Sequence, residues 1–323
     1  MALATSGKCM CLRLRCHDKA PISRLPEKCP KTEPRGIGPK CTSDRWARAN
    51  DKGFGLPLTS SESGANEPSS SLHSLSDSSI VRVIILAAGQ GKRLLPLTAE
   101  VPKALMDIGG KSLVQRQVEA FAANGLKDFV VITGYGADRM EAALVEIARK
   151  LGVSIATVFN PFYAVADNLA SCWLARDAMD RDFIQVNGDN VFQGDLVEKL
   201  LAAPRTPVSV AINRKDSFDA DDMKVMLDGT RLTEIGKTLP VDTVDAEAVG
   251  FYVFRGEGIA AYQNELGLAM RDPAGLRRWF PSAVGSLAKK IHVSTISISG
   301  LRWAEVDFPL DLQQARHLVS GWD

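Results

Sequence analysis

The sequence changes character at Val81-Arg82-Val83-Ile84-Ile85-Leu86-Ala87-Ala88-Gly89-Gln90-Gly91-Lys92-Arg93, where an apolar run gives way to small residues, glycines and basic side chains. Residues 81–86 predict a strand that is buried on both faces, as in a parallel sheet. The small residues that follow allow main-chain N–H groups to approach a ligand, and such turns bind phosphate because their N–H dipoles face the anion. Arg93, with Lys103 further along the chain, adds positive charge. The segment therefore predicts a buried strand that ends at an anion-binding loop.

The spacing of these glycines does not match two common phosphate-binding motifs. The loop lacks the GxxxxGK[ST] pattern of the P-loop, and the third glycine of the dinucleotide-binding fingerprint is missing. A strand followed by a flexible basic loop is the alternative that these residues leave open on their own.

Strand and helix patterns alternate through the rest of the chain. Strands are predicted at 128–133, 153–159, 183–186 and 248–254, and helices at 112–124, 137–151, 167–179 and 310–319. Asp228-Gly229, between apolar runs at 223–227 and 231–235, predicts a β-hairpin. This alternation is typical of an α/β fold with a mainly parallel sheet.

The overall charge of the chain does not favour a highly charged partner such as nucleic acid or a membrane surface. Lysine and arginine number 39 against 38 acidic residues, so the net charge is +1 and no cationic field favours nucleic acid or a membrane surface. The apolar runs are far shorter than a bilayer span. We therefore expect a soluble, cytoplasmic protein with no nucleic-acid partner and no membrane insertion. The sequence does not indicate an oligomeric state.

Residues 1–79 differ in composition from the rest. They are rich in Arg, Lys, Pro and Ser, have almost no apolar periodicity, and hold five of the six cysteines. Such a segment buries too little surface to offset its chain entropy. The cysteine spacing lacks the paired C-x2-C of common zinc sites. The prediction is a disordered or non-native extension at 1–79 before a domain at 80–323, with a transit peptide and a zinc-binding segment as alternatives.

The glycine-rich segment continues as Leu94-Leu95-Pro96-Leu97-Thr98, and Pro102-Lys103-Ala104-Leu105 follows. Together they resemble the signature of the NTP-transferase family of sugar nucleotidyltransferases, L-A-A-G-x-G-x-R-L-x-P-L-T with a downstream P-K-A-L. The resemblance runs from residue 81 to about residue 320 and includes Glu305-Val306-Asp307. It implies the Rossmann-like fold of nucleotide-diphospho-sugar transferases, with an open mixed, mainly parallel sheet flanked by helices. It also implies transfer of NMP from an NTP to a small phosphorylated acceptor, with release of pyrophosphate.

The resemblance also implies roles for four charged residues. Asp189 and Asp307 would bind Mg²⁺, and Arg93 and Lys103 would neutralise the phosphates, so that Arg93, Lys103 and Asp189 form the catalytic set. Asp189 comes just after a buried strand, where open α/β sheets bind ligands. Residue type alone would make Asp189 a turn residue and Asp307 a helix N-cap.

A second segment resembles bacterial choline-phosphate cytidylyltransferases and the related enzymes that act on inositol phosphate. It comprises Asn160-Pro161-Phe162-Tyr163 and Asp167-Asn168-Leu169-Ala170-Ser171, in which Asp167 replaces the first asparagine of the N-N-x-x-S pattern. The resemblance implies CTP as the nucleotide. A capped helix without a binding role is the alternative. The residues expected to contact the nucleotide are Leu86, Ala87, Ala88, Gly89, Gly91, Gly134, Asn168 and Ser171. Asn190 would orient the metal or ribose, or close a turn.

For the acceptor, the same subgroup implies that Lys237 contacts a phosphate and that Glu247 contacts a hydroxyl or an ammonium group. Choline phosphate is the first acceptor considered, since an aromatic cage could bind its cation. The aromatic candidates are Tyr163, Phe218, Tyr252, Trp279 and Phe280. A sugar-1-phosphate nucleotidyltransferase using dTTP, UTP or GTP is the alternative enzyme, and a nucleotide-sensing or assembly subunit is the non-enzyme alternative.

Deletion of residues 1–79 is expected to leave folding and turnover nearly intact, because their composition predicts no packed core. Thermal unfolding and turnover of the truncated and full-length chains would check this. Loss of folding on truncation, or one zinc ion bound per chain by this segment, would contradict it.

Overall fold

The computed structural model describes residues 81–322, and the predicted extension at 1–79 lies outside the described residues. The strands are β1 (Arg82–Leu86), β2 (Asp128–Thr133), β3 (Ser154–Phe159), β4 (Phe183–Asn187), β5 (Asn190–Phe192), β6 (Val208–Asn213), β7 (Lys224–Asp228), β8 (Arg231–Gly236), β9 (Ala246–Phe254), β10 (Val293–Ser297) and β11 (Trp303–Glu305). The α-helices are α1 (Leu113–Ala123), α2 (Ala137–Leu151), α3 (Asn168–Leu174), α4 (Gly194–Leu201), α5 (Glu257–Met270), α6 (Pro281–Ala288) and α7 (Pro309–Val319).

The main sheet has the strand order β3-β2-β1-β4-β9-β6-β10-β8-β7. The first four strands are parallel, as expected for an α/β fold. A mainly parallel sheet is wrong for the other half, where β9 runs antiparallel to both β4 and β6. The predicted open edge is also wrong, because β7 pairs with β9 as well as β8 and closes a small barrel. Register shifts in β6–β9 and β7–β8 bend these strands and permit the closure.

Turn and cap residues explain why several predicted elements are confirmed. The Ser112 side chain accepts a hydrogen bond from the Gln115 N–H at 3.3 Å, so α1 begins where its N-cap directs. Gly152 ends α2 in the left-handed conformation with φ +63°, which only glycine adopts without strain. The β-hairpin is formed by β7 and β8, and Gly229 has φ +63° between them.

The helix predicted at 167–179 is shorter in the structure. The α-helix ends at Leu174, and a 3₁₀ turn follows at Arg176–Ala178. Side chains from other parts of the chain donate hydrogen bonds to carbonyl groups of this turn. Arg82 donates to Ala178 O at 2.8 Å, and Gln263 donates to Arg176 O at 2.8 Å. These contacts compete with continued helical hydrogen bonding.

The hydrophobic core lies on both faces of the sheet, and aromatic packing within it fixes the position of β4. Phe183 on β4 stacks on Phe254 of β9 with ring centroids 4.7 Å apart, and Phe254 stacks on Tyr262 of α5 at 4.2 Å. All three side chains are fully buried. Helices α5 and α6 were not predicted, because small and apolar residues lie on every side of them and no amphipathic period results. Among residues 81–322, no helix combines the length and apolar character needed to span a bilayer.

Phe254→Ala is expected to lower the free energy of unfolding by about 3–5 kcal/mol, because it leaves a cavity between two stacked rings. Phe159→Ala removes the same side chain from a position that is 51% exposed, and its effect should stay within about 1 kcal/mol. Urea unfolding of the two variants measures the difference. Equal losses of stability would contradict the packing described for β4, β9 and α5.

Candidate functional site

The site lies where β1 and β4, adjacent parallel strands, end at the same edge of the sheet. The glycine-rich loop follows Leu86, and the turn with Gly188 and Asp189 follows β4. Gly188 donates its N–H to Leu86 O at 2.9 Å, and a Cβ on Gly188 would come within 2.5 Å of the same oxygen. Glycine at this position therefore allows the Asp189 turn to lie directly against the loop.

Four predicted residues meet in one network of charges at this edge. The Lys103 ammonium lies 2.9 Å from Asp189 Oδ2 and 2.5 Å from Asp307 Oδ1. Arg93 pairs with the other oxygen of Asp307 at 3.2 Å and with Asp221 at 3.1 Å. Asp307 precedes the first turn of α7 but is not its N-cap, a position that Phe308 occupies.

The charges in this network stabilise one another against burial. Burial alone would lower the pKa of Lys103, but the carboxylates of Asp189 and Asp307 outweigh it and raise that pKa. Burial alone would likewise raise the pKa of Asp307, and the cations around it, first among them Lys103, lower it instead. Lys103 is therefore a charged ammonium that lies between two charged carboxylates.

Glu305 is a third carboxylate of the cluster, to which the sequence reasoning gave no role. Its side chain is exposed to solvent. Withdrawal from bulk water raises the pKa of Glu305 to about 8, and the negative charges of Asp189 and Asp307 add to the effect. The Glu305-Val306-Asp307 pattern held a usable signal, since alternate residues of an extended chain face the same side.

This cluster fits a divalent cation. Asp189, Glu305 and Asp307 each offer a carboxylate oxygen, and these atoms all lie within 4.8 Å of one another. Asp189 Oδ1 and the nearby Asn187 Oδ1 are buried and have no hydrogen-bond partner within residues 81–322. Such oxygen donors suit Mg²⁺, which needs only one or two carboxylates beside its substrate. These residues could therefore hold the metal that the sequence implied.

Two cavities adjoin the cluster and share part of their walls. The smaller, of about 270 Å³, is lined by Leu86, Ala88, Gly89, Asn168 and Ser171 from the predicted nucleotide contacts. The larger, of about 710 Å³, is lined by Lys237, Glu247, Glu305 and Asp307. The residues that border both cavities are Asn168, Asn187, Asp189 and Trp279. Asp189 thus lies at the junction of two separate binding spaces.

The predicted nucleotide contacts around the glycine-rich loop do not all remain available. The Ala87 N–H donates to Ile132 O at 3.0 Å, so the expectation that it faces a ligand is wrong. By contrast, the N–H groups of Ala88, Gly89 and Gly91 make no backbone hydrogen bond within residues 81–322. Gly134 lies behind the loop, where a Cβ would come within 2.6 Å of Ala88 O.

The polar groups of the smaller cavity are held in place by neighbours. Ser171 Oγ accepts a hydrogen bond from the Asn160 side chain at 2.9 Å, and Asn168 Oδ1 accepts one from the Phe280 N–H at 3.0 Å. Within residues 81–322, the Asn168 amide N–H groups donate no hydrogen bond, and Asn168 lines the smaller cavity. Asp167 holds the N-cap position of α3 but makes no capping hydrogen bond, so capping does not account for this segment.

Asn190 closes the turn that carries Asp189. It is buried, and its side chain donates to Val249 O at 2.9 Å. Gln117 of α1, which the sequence reasoning did not select, donates to Asn187 O at 2.9 Å and to Asn190 O at 2.7 Å. The turn is thereby held at both ends beneath Asp189.

The predicted acceptor residues line the larger cavity, with partners that the sequence did not reveal. Glu247 accepts from Lys215 at 2.6 Å and from Asn213 at 3.1 Å, so both of its oxygens are engaged. The Lys237 ammonium lies 3.9 Å from the centroid of the Trp279 ring.

Three of the five aromatic candidates, Tyr252, Trp279 and Phe280, line the larger cavity, and Tyr163 and Phe218 do not. Tyr252 and Phe280 are buried and pack edge to face, with ring centroids 4.8 Å apart. Phe218 lies beside Lys215, Tyr163 lines the smaller cavity, and Trp279 already faces Lys237.

Comparison with known proteins finds similarity to nucleotidyltransferases. Residues 82–214 match the family model described as nucleotidyl transferase. The bifunctional IPC transferase and DIPP synthase of Aquifex aeolicus is 27% identical over 236 residues, which cover 72% of this chain and 50% of that protein. The choline-phosphate cytidylyltransferase of Streptococcus pneumoniae is 33% identical over 121 residues, which cover 36% of this chain and 50% of that protein. The chain thus spans half the length of these two relatives.

A solved structure shares the fold. The inositol-1-phosphate CTP transferase from T. maritima superimposes with a TM-score of 0.61 at 21% identity. The match covers 75% of this chain and 97% of that one. Residues 81–322 therefore have the α/β fold of nucleotidyltransferases, and the second half of their sheet combines antiparallel pairs with the parallel pair of β6 and β10.

The carboxylate cluster is expected to bind Mn²⁺, a spectroscopic substitute for Mg²⁺. Asp189→Asn and Asp307→Asn should each weaken binding by more than about tenfold, since each removes a ligand charge. Asp221→Asn makes the same charge change in the same cavity, outside the cluster, and should leave binding nearly unchanged. Titration followed by electron paramagnetic resonance measures the three affinities. Equal losses in all three variants would show that only the net charge of the cavity matters.

Proposed function

We propose that this chain, whose residues 82–214 match the nucleotidyl transferase family model, transfers CMP from CTP to a small phosphorylated acceptor, with release of pyrophosphate. The observation that supports it best is the Lys103–Asp189–Asp307 network at the junction of two cavities. A two-substrate transfer needs two adjoining binding spaces with cationic groups where they meet.

In the proposed reaction, an oxygen of the acceptor phosphate attacks the α-phosphorus of CTP. A new P–O bond forms as the bond to the pyrophosphate oxygen breaks, and pyrophosphate leaves on the opposite side. Both reactants are polyanions, so the protein acts mainly by alignment and charge neutralisation. Arg93 and Lys103 supply positive charge beside the free N–H groups of the glycine-rich loop.

Ion pairs fix the positions of Arg93 and Lys103 before the substrates bind. The Lys103 side chain is only 12% exposed and is fixed by two carboxylates, so little side-chain reorganisation is needed when phosphate oxygens arrive. Asp189 and Asp307, with Glu305 beside them, would hold Mg²⁺. When bound, Mg²⁺ would neutralise phosphate charge and hold phosphate oxygens of both substrates in line.

The size and polar groups of the smaller cavity support the proposal that it binds a pyrimidine base. At about 270 Å³ it presents the Asn168 amide and the Ser171 hydroxyl, which are groups suited to the polar edge of cytosine or to ribose. A purine that leaves such groups unpaired would be disfavoured by about 1–3 kcal/mol for each group. The names of the curated relatives, which include a cytidylyltransferase, support the same nucleotide.

The proposed acceptor is a phosphorylated amino-alcohol or polyol, with choline phosphate first. The larger cavity offers a cationic head group both aromatic faces and carboxylates, since Trp279 and Asp221 are among the residues that line it. The volume of about 710 Å³ also has room for a hexose phosphate, which keeps the sugar-1-phosphate alternative open to test.

The proposal is tested by measuring pyrophosphate release for CTP, UTP, GTP and dTTP, each with choline phosphate, inositol 1-phosphate and glucose 1-phosphate. We expect the highest kcat/KM for CTP with choline phosphate, and a loss of about tenfold or more with GTP. Discrimination against UTP should be smaller, since it depends on one exocyclic group.

Asp189→Asn serves as the control for turnover at this site. It preserves shape but removes charge, and should lower kcat by about a hundredfold or more. Preference for GTP or dTTP with glucose 1-phosphate would overturn the cytidylyl assignment and leave nucleotidyl transfer standing. Absence of pyrophosphate release from all pairs would overturn the enzymatic proposal, and would favour a nucleotide-sensing role.

A further inference from the structure

Trp279 is an exposed aromatic side chain at the wall between the two cavities. It is 41% exposed and lines both of them, whereas its neighbour Phe280 is 1% exposed and packs against Tyr252 in the core. The backbone is therefore anchored immediately beside the indole. An exposed tryptophan on an anchored backbone, between two polar cavities, is suited to contact a ligand.

The segment that carries Trp279 is bound to the start of α3. Leu276 O accepts the Asp167 N–H at 2.8 Å, and Arg278 O accepts the Leu169 N–H at 3.3 Å. Between them, Asn168 Oδ1 accepts the Phe280 N–H at 3.0 Å. Asn168 is also the residue whose amide faces the smaller cavity, so the position of Trp279 depends on the residue that faces the nucleotide.

Trp279 also contacts Lys237. The Lys237 ammonium lies 3.9 Å from the ring centroid, a distance at which the ring quadrupole attracts a cation. Within residues 81–322, the Lys237 side chain makes no hydrogen bond and no ion pair. It lines the larger cavity together with Asp307 of the carboxylate cluster. The Trp279 ring therefore orients the Lys237 ammonium, and the charge of this ammonium can still contact a phosphate.

We propose that Trp279 is a positioning residue that holds the Lys237 ammonium for the phosphate of the acceptor, and that couples acceptor binding to nucleotide binding through Asn168. The inference depends on the proposed function, since it assigns the acceptor phosphate to Lys237 and the nucleotide to Asn168. A nucleotide bound to the Asn168 amide fixes the segment that carries Trp279, and Trp279 in turn fixes Lys237. By linkage, an acceptor held by Lys237 strengthens nucleotide binding by the same factor.

The test is a set of initial rates in which CTP and choline phosphate are varied together. In the wild type, the KM for choline phosphate should fall by at least about fivefold as CTP rises to saturation. Trp279→Leu should raise that KM by about tenfold, because it removes the ring that orients Lys237. It should also abolish the dependence of this KM on CTP, while kcat changes by less than about threefold. Trp279→Phe keeps a weaker aromatic face and should recover part of both effects.

A matched control separates this role from a merely structural one. Trp173 faces Arg176, whose guanidinium lies 4.3 Å from the ring centroid, and Trp173 lines neither cavity. Trp173→Leu removes the same ring and the same kind of cation contact, and should leave both KM values and their coupling unchanged. The inference is overturned if Trp279→Leu behaves like Trp173→Leu, or if Trp279→Leu lowers kcat alone.

A second variant keeps the test decisive if Trp279→Leu folds poorly. Lys237→Met should raise the KM for choline phosphate, and in that background Trp279→Phe should have no further effect on it. Independent, multiplying effects of the two changes would overturn the positioning role. If the wild type releases no pyrophosphate from any NTP and acceptor pair, the proposed function fails and the inference fails with it. An active wild type with an unaffected Trp279→Leu variant contradicts the inference alone.

Discussion

The Lys103 ammonium, held between the carboxylates of Asp189 and Asp307, is the interaction on which the arrangement of the site depends. A buried ammonium is tolerated only when it is paired and hydrogen-bonded, and a carboxylate pair at this distance would repel without a cation between them. Removing Lys103 would leave two neighbouring carboxylates without the cation that lies between them. The loop after β1, the turn after β4 and the segment before α7 are thereby held at one point.

A small two-stranded ribbon brings the two aspartates together across the sequence. Strand β5 pairs antiparallel with β11, so that Asn190 lies opposite Glu305. The Val306 N–H then donates to Asp189 O at 3.0 Å, which places Asp307 beside the Asp189 turn. The spacing between the carboxylates is therefore set by backbone hydrogen bonds rather than by flexible side chains. That rigidity suits a site that must align two phosphates.

The sequence predicted those parts of the molecule that have a local signal. Glycine, cap and turn residues set the bounds of α1, α2 and the β7–β8 hairpin, because the energetics that place them act within a few residues. The resemblance to the family signature selected Arg93, Lys103, Asp189 and Asp307, which the fold brings into one network of charges. The closure of β7 on β9 could not be predicted, since pairing partners for a strand are chosen by tertiary packing. Local patterns likewise do not show that the Ala87 N–H is taken by β2.

Long-range partners explain why the acceptor side was predicted least well. Residue type made Glu247 and five aromatic residues candidates, but only the fold shows that Lys215 engages Glu247 and that two of the rings belong to the core. Lys215 itself is a basic residue in a charged stretch, with nothing nearby in sequence that distinguishes it from a solvated lysine. The wall of the larger cavity combines residues from the segment before β7, from β9, from the start of α6 and from the segment before α7, so it has no contiguous signature.

The charge of the assembled site supports the proposal that a divalent cation binds there together with the nucleotide. Lys103 and Arg93 face the carboxylates of Asp189, Asp307 and Asp221, and Glu305 is a fourth acid beside them. The carboxylates therefore outnumber the cations, and a bare triphosphate would be repelled from the residues proposed to bind it. A divalent cation within the cluster reverses that balance. It would satisfy the buried Asp189 Oδ1 and release Lys103 and Arg93 to face phosphate oxygens. The same carboxylates that hold the cations at rest are thus the groups whose neutralisation makes those cations available.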